Sequence, residues 1–229
     1  MKNFSDFCEE LLKSGFSMGG GNDKGIFAIV PYDWKNQADL DTPIKWHTGD
    51  PETDPWEWRM RVLEERSDIA YAKLFFKTSG YITKDWYSYF FSIRRGDIDF
   101  DTAYNEGKIS HTEKIIYDII RSNDTVALHE IKQLGNFSKE DNSKFDKAIT
   151  DLQMKMFITV CGRVSKIGKD GKPYGWNSTV FSTVESFWNK RGIKLKNINT
   201  EDAFKKIQKQ ILSLNPNADE KKIKKFICG

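Results

Sequence analysis

With 229 residues, 38% of them hydrophobic, 14% aromatic and 30% charged, the chain reads as a soluble, ring-rich globular protein long enough to bury a core. No apolar run approaches the ~20 residues of a membrane span, and the polar start M-K-N-F-S-D is unlike a signal peptide, so the cytoplasm is the expected compartment and no membrane partner is expected. The net charge of +3 hides an asymmetry: residues 1–109 hold 14 Lys/Arg against 19 Asp/Glu, and residues 110–229 hold 22 against 14.

That asymmetry, −5 in front and +8 behind, is compatible with an ordinary soluble surface. It also fits two units, the basic one suited to a polyanion. Cys8, Cys161 and Cys228 are odd in number and widely spaced, which fits structural thiols better than a disulfide framework or a zinc site. Neither a metal nor another cofactor is expected.

In chain order, S-D-F-C-E-E-L-L-K-S-G predicts a helix capped by Ser5, with Phe7, Leu11 and Leu12 on its apolar face and Gly15 as its stop. Gly19-Gly20-Gly21 precedes the β-like run Gly25–Val30 and lacks a following Lys-Ser/Thr, so it is not a phosphate loop. From Asp54 the segment P-W-E-W-R-M-R-V-L-E-E-R predicts a helix, with Asp54 as cap, Pro55 at its first position and Glu57 at its positive end. The run from Ile69 to Ile82 is a strand or a short mixed element, D-W-Y-S-Y-F-F-S-I-R-R is a helix, and Asp97–Gly107 is a turn-rich boundary.

Beyond Gly107 the pattern sharpens. Ser110 and Glu113 form a capping box opening a helix striped by Ile115, Ile116, Ile119 and Ile120. Thr125 opens a second helix with Val126, Leu128, Ile131 and Leu134 on its apolar side, and Ser138 a third bearing Phe145, Ile149 and Leu152. Strands Phe157–Lys166 and Tyr174–Thr183 then flank a tight turn at Gly168–Gly171. Three helices and a hairpin predict a winged helix-turn-helix, a fold suited to double-stranded DNA. Arg163, Lys166, Lys169 and Lys172 on the hairpin are candidates for phosphate contact, with only Asp170 opposing them. The polar side of the third helix adds Lys139, Asn142, Ser143, Lys147 and Thr150, although Glu140, Asp141, Asp146 and Asp151 bring it near neutrality. A protein-binding or purely structural module is the competing reading.

Several of these strings also resemble the bacterial AlkZ-related proteins, winged-helix relatives of the AlkZ-type DNA glycosylases that unhook interstrand crosslinks. They are T-G-D-P-E-T-D-P-W-E-W-R, I-A-Y-A-K-L-F-F, G-Y-I-T-K-D-W, L-Q-M-K-M and Y-G-W-N-S-T-V-F-S-T-V-E, spread between Lys45 and Trp188. The resemblance implies a DNA-related role. It does not carry over the glycosylases' Gln-hydrophobic-Gln or Gln-x-Asp pair, which lies near their N-terminal end. Gln153-Met154-Lys155 stands where the third helix meets the hairpin, and Gln37-Ala38-Asp39 lies in a loop flanked by Pro and Asp.

The segment Trp46–Arg59 keeps two readings. In one, Asp50, Glu52, Asp54 and Glu57 with His47, Asp50 and Asp54 foremost, supply a base that activates water beside Trp46, Trp56 and Trp58, whose rings stack an extruded base. In the other, Asp54 caps a helix, Asp50 closes a turn and the tryptophans pack. His111 and His129 lie on helices without an evident acid-base partner, and the final D-E-K-K-I-K-K-F-I is an amphipathic helix packing Ile223, Phe226 and Ile227. The expected fold is therefore α+β: an acidic, aromatic-rich α+β region over 1–107, a winged helix-turn-helix domain over 108–190 and a helical C-terminal tail over 191–229. Its expected partner is double-stranded DNA, with a protein partner as the alternative, and no catalytic set is complete.

Overall fold

The computed structural model describes residues 1–30, 42–168 and 170–229 and shows an α+β protein. The chain runs α1 (Phe4–Ser14), β1 (Phe16–Met18), α2 (Pro55–Glu65), β2 (Ile69–Phe75), β3 (Thr78–Thr83) and α3 (Lys84–Arg94). It continues through α4 (Phe100–Asn105), α5 (His111–Asn123), β4 (Thr125–Ala127), α6 (Leu128–Leu134) and α7 (Asn142–Met154). The hairpin β5 (Ile158–Ile167) and β6 (Pro173–Thr183) follows, then α8 (Val184–Asn189), α9 (Thr200–Leu214) and α10 (Glu220–Cys228). Two compact units result: Met1–Gly96 together with Leu195–Gly229, and Asp97–Lys194.

In the first unit β3 lies between β1 and β2, both antiparallel to it. The predicted strand at Gly25–Val30 does not form; the strand is Phe16–Met18, paired with Gly80–Ile82. Met18 and Gly21 instead donate their amides to the carbonyls of Phe27 and Val30, which holds that stretch as irregular backbone. The ambiguous run from Ile69 resolves into the β2–β3 hairpin, turned by Phe76 and Lys77 at positive φ. Helix α1 is capped by Asn3 rather than Ser5, because the Asn3 side-chain Oδ1 accepts from the Asp6 amide. It buries Phe7 and Leu11 but leaves Leu12 exposed.

The core of this unit is aromatic. Phe7 stacks on Trp58 at 5.0 Å, and Phe75 stacks on Phe226 of α10 at 3.8 Å. Arg94, half-buried at the end of α3, donates to the carbonyls of Leu74, Phe226 and Ile227. Burial pushes its pKa down to about 10, yet the carbonyl end of α10 is where a helix favours a cation. Ile223, Phe226 and Ile227 all pack inward.

In the second unit the predicted capping box is present: Glu113 donates its amide to Ser110 Oγ and accepts the Ser110 amide on Oε2. The other carboxylate oxygen, buried, takes Lys155 Nζ at 2.6 Å. Two predicted boundaries shift. Thr125–Ala127 is not a helix start but the short strand β4, because β6 offers it a pairing edge with Val126 opposite Phe181. Helix α6 begins only at Leu128, and its last residue, Leu134, is exposed rather than packed. Ser138 belongs to a turn closed on Asp141, so α7 begins at Asn142; Phe145, Ile149 and Leu152 are buried as the spacing predicts. The turn-rich boundary contains α4, whose Phe100 stacks on Tyr117 at 3.7 Å.

Candidate nucleic-acid interface

The β5–β6 hairpin changes character along its length. Ile158, Thr159 and Val160 are buried, whereas Arg163, Val164, Ser165 and Ile167 are exposed, as are Lys172 to Asn177. The near end therefore belongs to the core of the second unit, and the far end extends beyond it. The side chains of Lys166 and Lys172 make no ion pair among the described residues, and Arg163 is exposed beside them in sequence. Asp170 lies at the turn, where its carboxylate accepts from the Lys172 amide at 3.2 Å. Lys169 lies outside the described residues.

The far end is also apolar. Trp176 is 83% exposed, Ile167 59% and Tyr174 58%. Such exposure of a tryptophan is uncommon, since its ring ordinarily seeks cover. Charge counting passes over this residue. A glycine followed by tryptophan within an alternating strand, Gly175-Trp176, is the signal that points to it.

Helix α7 contributes less. Lys139 is exposed in the turn before it, Asn142 accepts from Lys132 Nζ at 2.8 Å, and Lys147 pairs with Asp151 at 2.5 Å. Ser143 is exposed. Thr150, expected on the polar side, is buried and donates its hydroxyl to the Asp146 carbonyl.

In the segment from Trp46 to Arg59, the Asp54 carboxylate is fully buried and accepts three backbone amides: His47 at 3.0 Å, Gly49 at 2.9 Å and Trp56 at 2.8 Å. It thereby ties the loop to the first turn of α2. Asp50 is exposed, and the Glu52 amide, then the Thr53 hydroxyl, hold its carboxyl below the usual carboxylate range. A carboxylate so stabilised is a weaker proton acceptor.

The three tryptophans do not share one wall. Trp58 is in the core and donates its indole N–H to the Pro51 carbonyl. Trp56 is half-buried with the Arg59 guanidinium 3.3 Å over its ring and the His47 ring centroid 4.8 Å away. Trp46 lies against Gly20, where an added Cβ would come within 2.8 Å of the indole.

Gln153 is buried and donates to the Ile149 carbonyl of its own helix, while Lys155 reaches Glu113 and the Lys108 carbonyl. The Gln37-Ala38-Asp39 string lies outside the described residues. His111 is exposed and His129 half-buried. Burial pushes the Cys8 and Cys161 thiols up to about 11, whereas Cys228 is exposed. Among the described residues no group of His, Cys, Asp and Glu could hold a metal ion, and no helix is long and apolar enough to cross a membrane.

The molecule is thus of the α+β class, with a second unit in which the helices α4 to α8 accompany the antiparallel β5–β6 hairpin. A family model described as AlkZ related matches residues 1–228, so the chain belongs to the AlkZ-related family. No curated protein and no solved structure matches it.

Proposed function

We propose that residues 97–194 form a winged-helix module that engages double-stranded DNA, with the far half of β5–β6 as the wing. The observation that carries this reading is a hairpin that follows α5, β4, α6 and α7 and bears exposed Arg163 and Lys172 with half-buried Lys166, the two lysines making no ion pair among the described residues. In that arrangement the wing contacts the sugar-phosphate backbone and releases counterions, while α7 lies toward the groove. Membership of the AlkZ-related family adds a link to glycosylase-like DNA-repair proteins. The binding is mainly backbone-directed, because Lys147 on α7 is paired within its own helix and Asn142 holds Lys132.

The proposal is one of binding rather than base release. Asp54 has its carboxylate enclosed by three amides, and Asp50 is held below the ordinary carboxylate range. The test is affinity for a short duplex as a function of salt. Lys166→Glu with Lys172→Glu is expected to weaken binding at least about ten-fold and to flatten the slope of log affinity against log salt by roughly 2. Unchanged affinity and slope would remove the wing from the interface.

The exposed ring of Trp176 and its apolar neighbours favour a second reading, a module that docks on protein. A protein complex unaffected by the two charge reversals, formed by a chain that does not bind duplex, would select it.

A further inference from the structure

The register of the hairpin shows how Trp176 comes to be exposed. Val164 is opposite Ser178 and Lys166 opposite Tyr174, so Ser165 alone faces the three residues Gly175, Trp176 and Asn177. This is a bulge in β6. Ser165 Oγ bonds to Asn177 Oδ1 at 3.0 Å across it, and Gly175 takes φ 64, a left-handed conformation suited to glycine. A Cβ at Gly175 would meet nothing within 4 Å, so close packing does not demand a glycine there; backbone conformation does. The insertion adds a tryptophan where a regular ladder would continue, and leaves it 83% exposed.

The surroundings narrow what such a ring is for. Lys166 and Tyr174 are cross-strand partners and so leave the same face of the hairpin, cation beside ring. Lys172 is two residues from Tyr174, and Asp170 is the acidic residue at the turn. A purely apolar partner would leave these ammonium groups desolvated without an acceptor. A polyanion with flat, stackable faces satisfies both features, and an unstacked nucleotide has that chemistry.

We infer that the β6 bulge is a stacking platform for unpaired DNA bases: Trp176, with Tyr174, covers a base that has left the duplex, while Lys166 and Lys172 hold the adjoining phosphates. This rests on the DNA-binding reading of the second unit and specifies its substrate as DNA carrying an unpaired or extruded base. Every base presents a π-face, so the platform reads disruption of the stack rather than sequence.

Fluorescence anisotropy with two labelled probes tests the inference: a perfect duplex, and the same duplex with one unpaired nucleotide. The full chain is expected to prefer the second by on the order of ten-fold. Trp176→Ala brings the ratio of the two affinities to about one, and Trp176→Phe, which keeps a ring, retains most of the preference. With 2-aminopurine at the unpaired position, stacking quenches its emission in the wild-type complex and not in the Trp176→Ala complex. Equal wild-type affinity for both probes, or a ratio unmoved by Trp176→Ala, overturns the platform while leaving duplex binding intact. Failure of every probe to bind overturns the DNA reading itself. A preference that persists in Trp176→Ala but vanishes with Lys166→Glu and Lys172→Glu assigns the recognition to charge and also overturns the platform.

Discussion

Trp46–Arg59 and Arg163–Trp176 look alike in composition, each mixing aromatic rings with charge of one dominant sign. They differ in what answers their polar groups. In the first, the Asp54 carboxylate takes three amides, Arg61 holds Glu52 at 2.7 Å, and Trp58 packs against Phe7. In the second, Lys166 and Lys172 have no ion-pair partner among the described residues, and Trp176 is almost wholly exposed. A cluster whose hydrogen bonds close within the chain holds a fold together. One that leaves them open has capacity for an external partner.

The sharpest way to break this contrast is to truncate one tryptophan from each segment. Trp58→Ala opens a cavity beneath Phe4 and Phe7 and is expected to cost about 3–5 kcal/mol, a large part of the stability of an ordinary domain. Trp176→Ala is expected to change stability by no more than about 0.5 kcal/mol. Chemical denaturation of the two variants measures both, and equal losses would mean that the hairpin ring is packed in solution. Next in size is Asp54→Asn, which presents an amide N–H₂ to a buried backbone donor and is expected to cost about 2 kcal/mol. If stability instead held while base release from alkylated or crosslinked DNA disappeared, Asp54 would move from the structural column to the chemical one.

What could be read in advance followed from local chemistry. Asp54 ahead of Pro55, and Ser110 three residues before Glu113, are short-range signals, and both caps form as their spacing predicts. The hairpin also declared itself, by alternation around the glycines at 168 and 171. The shifts occur where a distant partner decides. Thr125–Ala127 is too short to show a period of its own and becomes a strand only because Val180–Ser182 pairs with it. Phe16–Met18 is selected over the more apolar Gly25–Val30 by its pairing with Gly80–Ile82. In the candidate interface the cations were legible as charge. The bulge presenting Trp176 was not, because an insertion in one strand is defined only against the register of the other.

The smallest expected effect separates the two readings of the acidic loop most cleanly. His47 sits at φ 61, where a side chain costs conformational energy and glycine does not, and its backbone amide, not its imidazole, supplies the bond to Asp54. Its ring rests on Trp56 at the surface, a contact of modest worth. His47→Gly therefore relieves the strained conformation, loses the ring contact and enlarges the freedom of the unfolded chain, so the contributions nearly cancel. A net change within about 0.5 kcal/mol in denaturant unfolding is expected, with unaltered affinity for duplex DNA. Loss of base release with stability intact would instead make the imidazole a working acid or base, and would return the acidic loop to the chemistry of the protein.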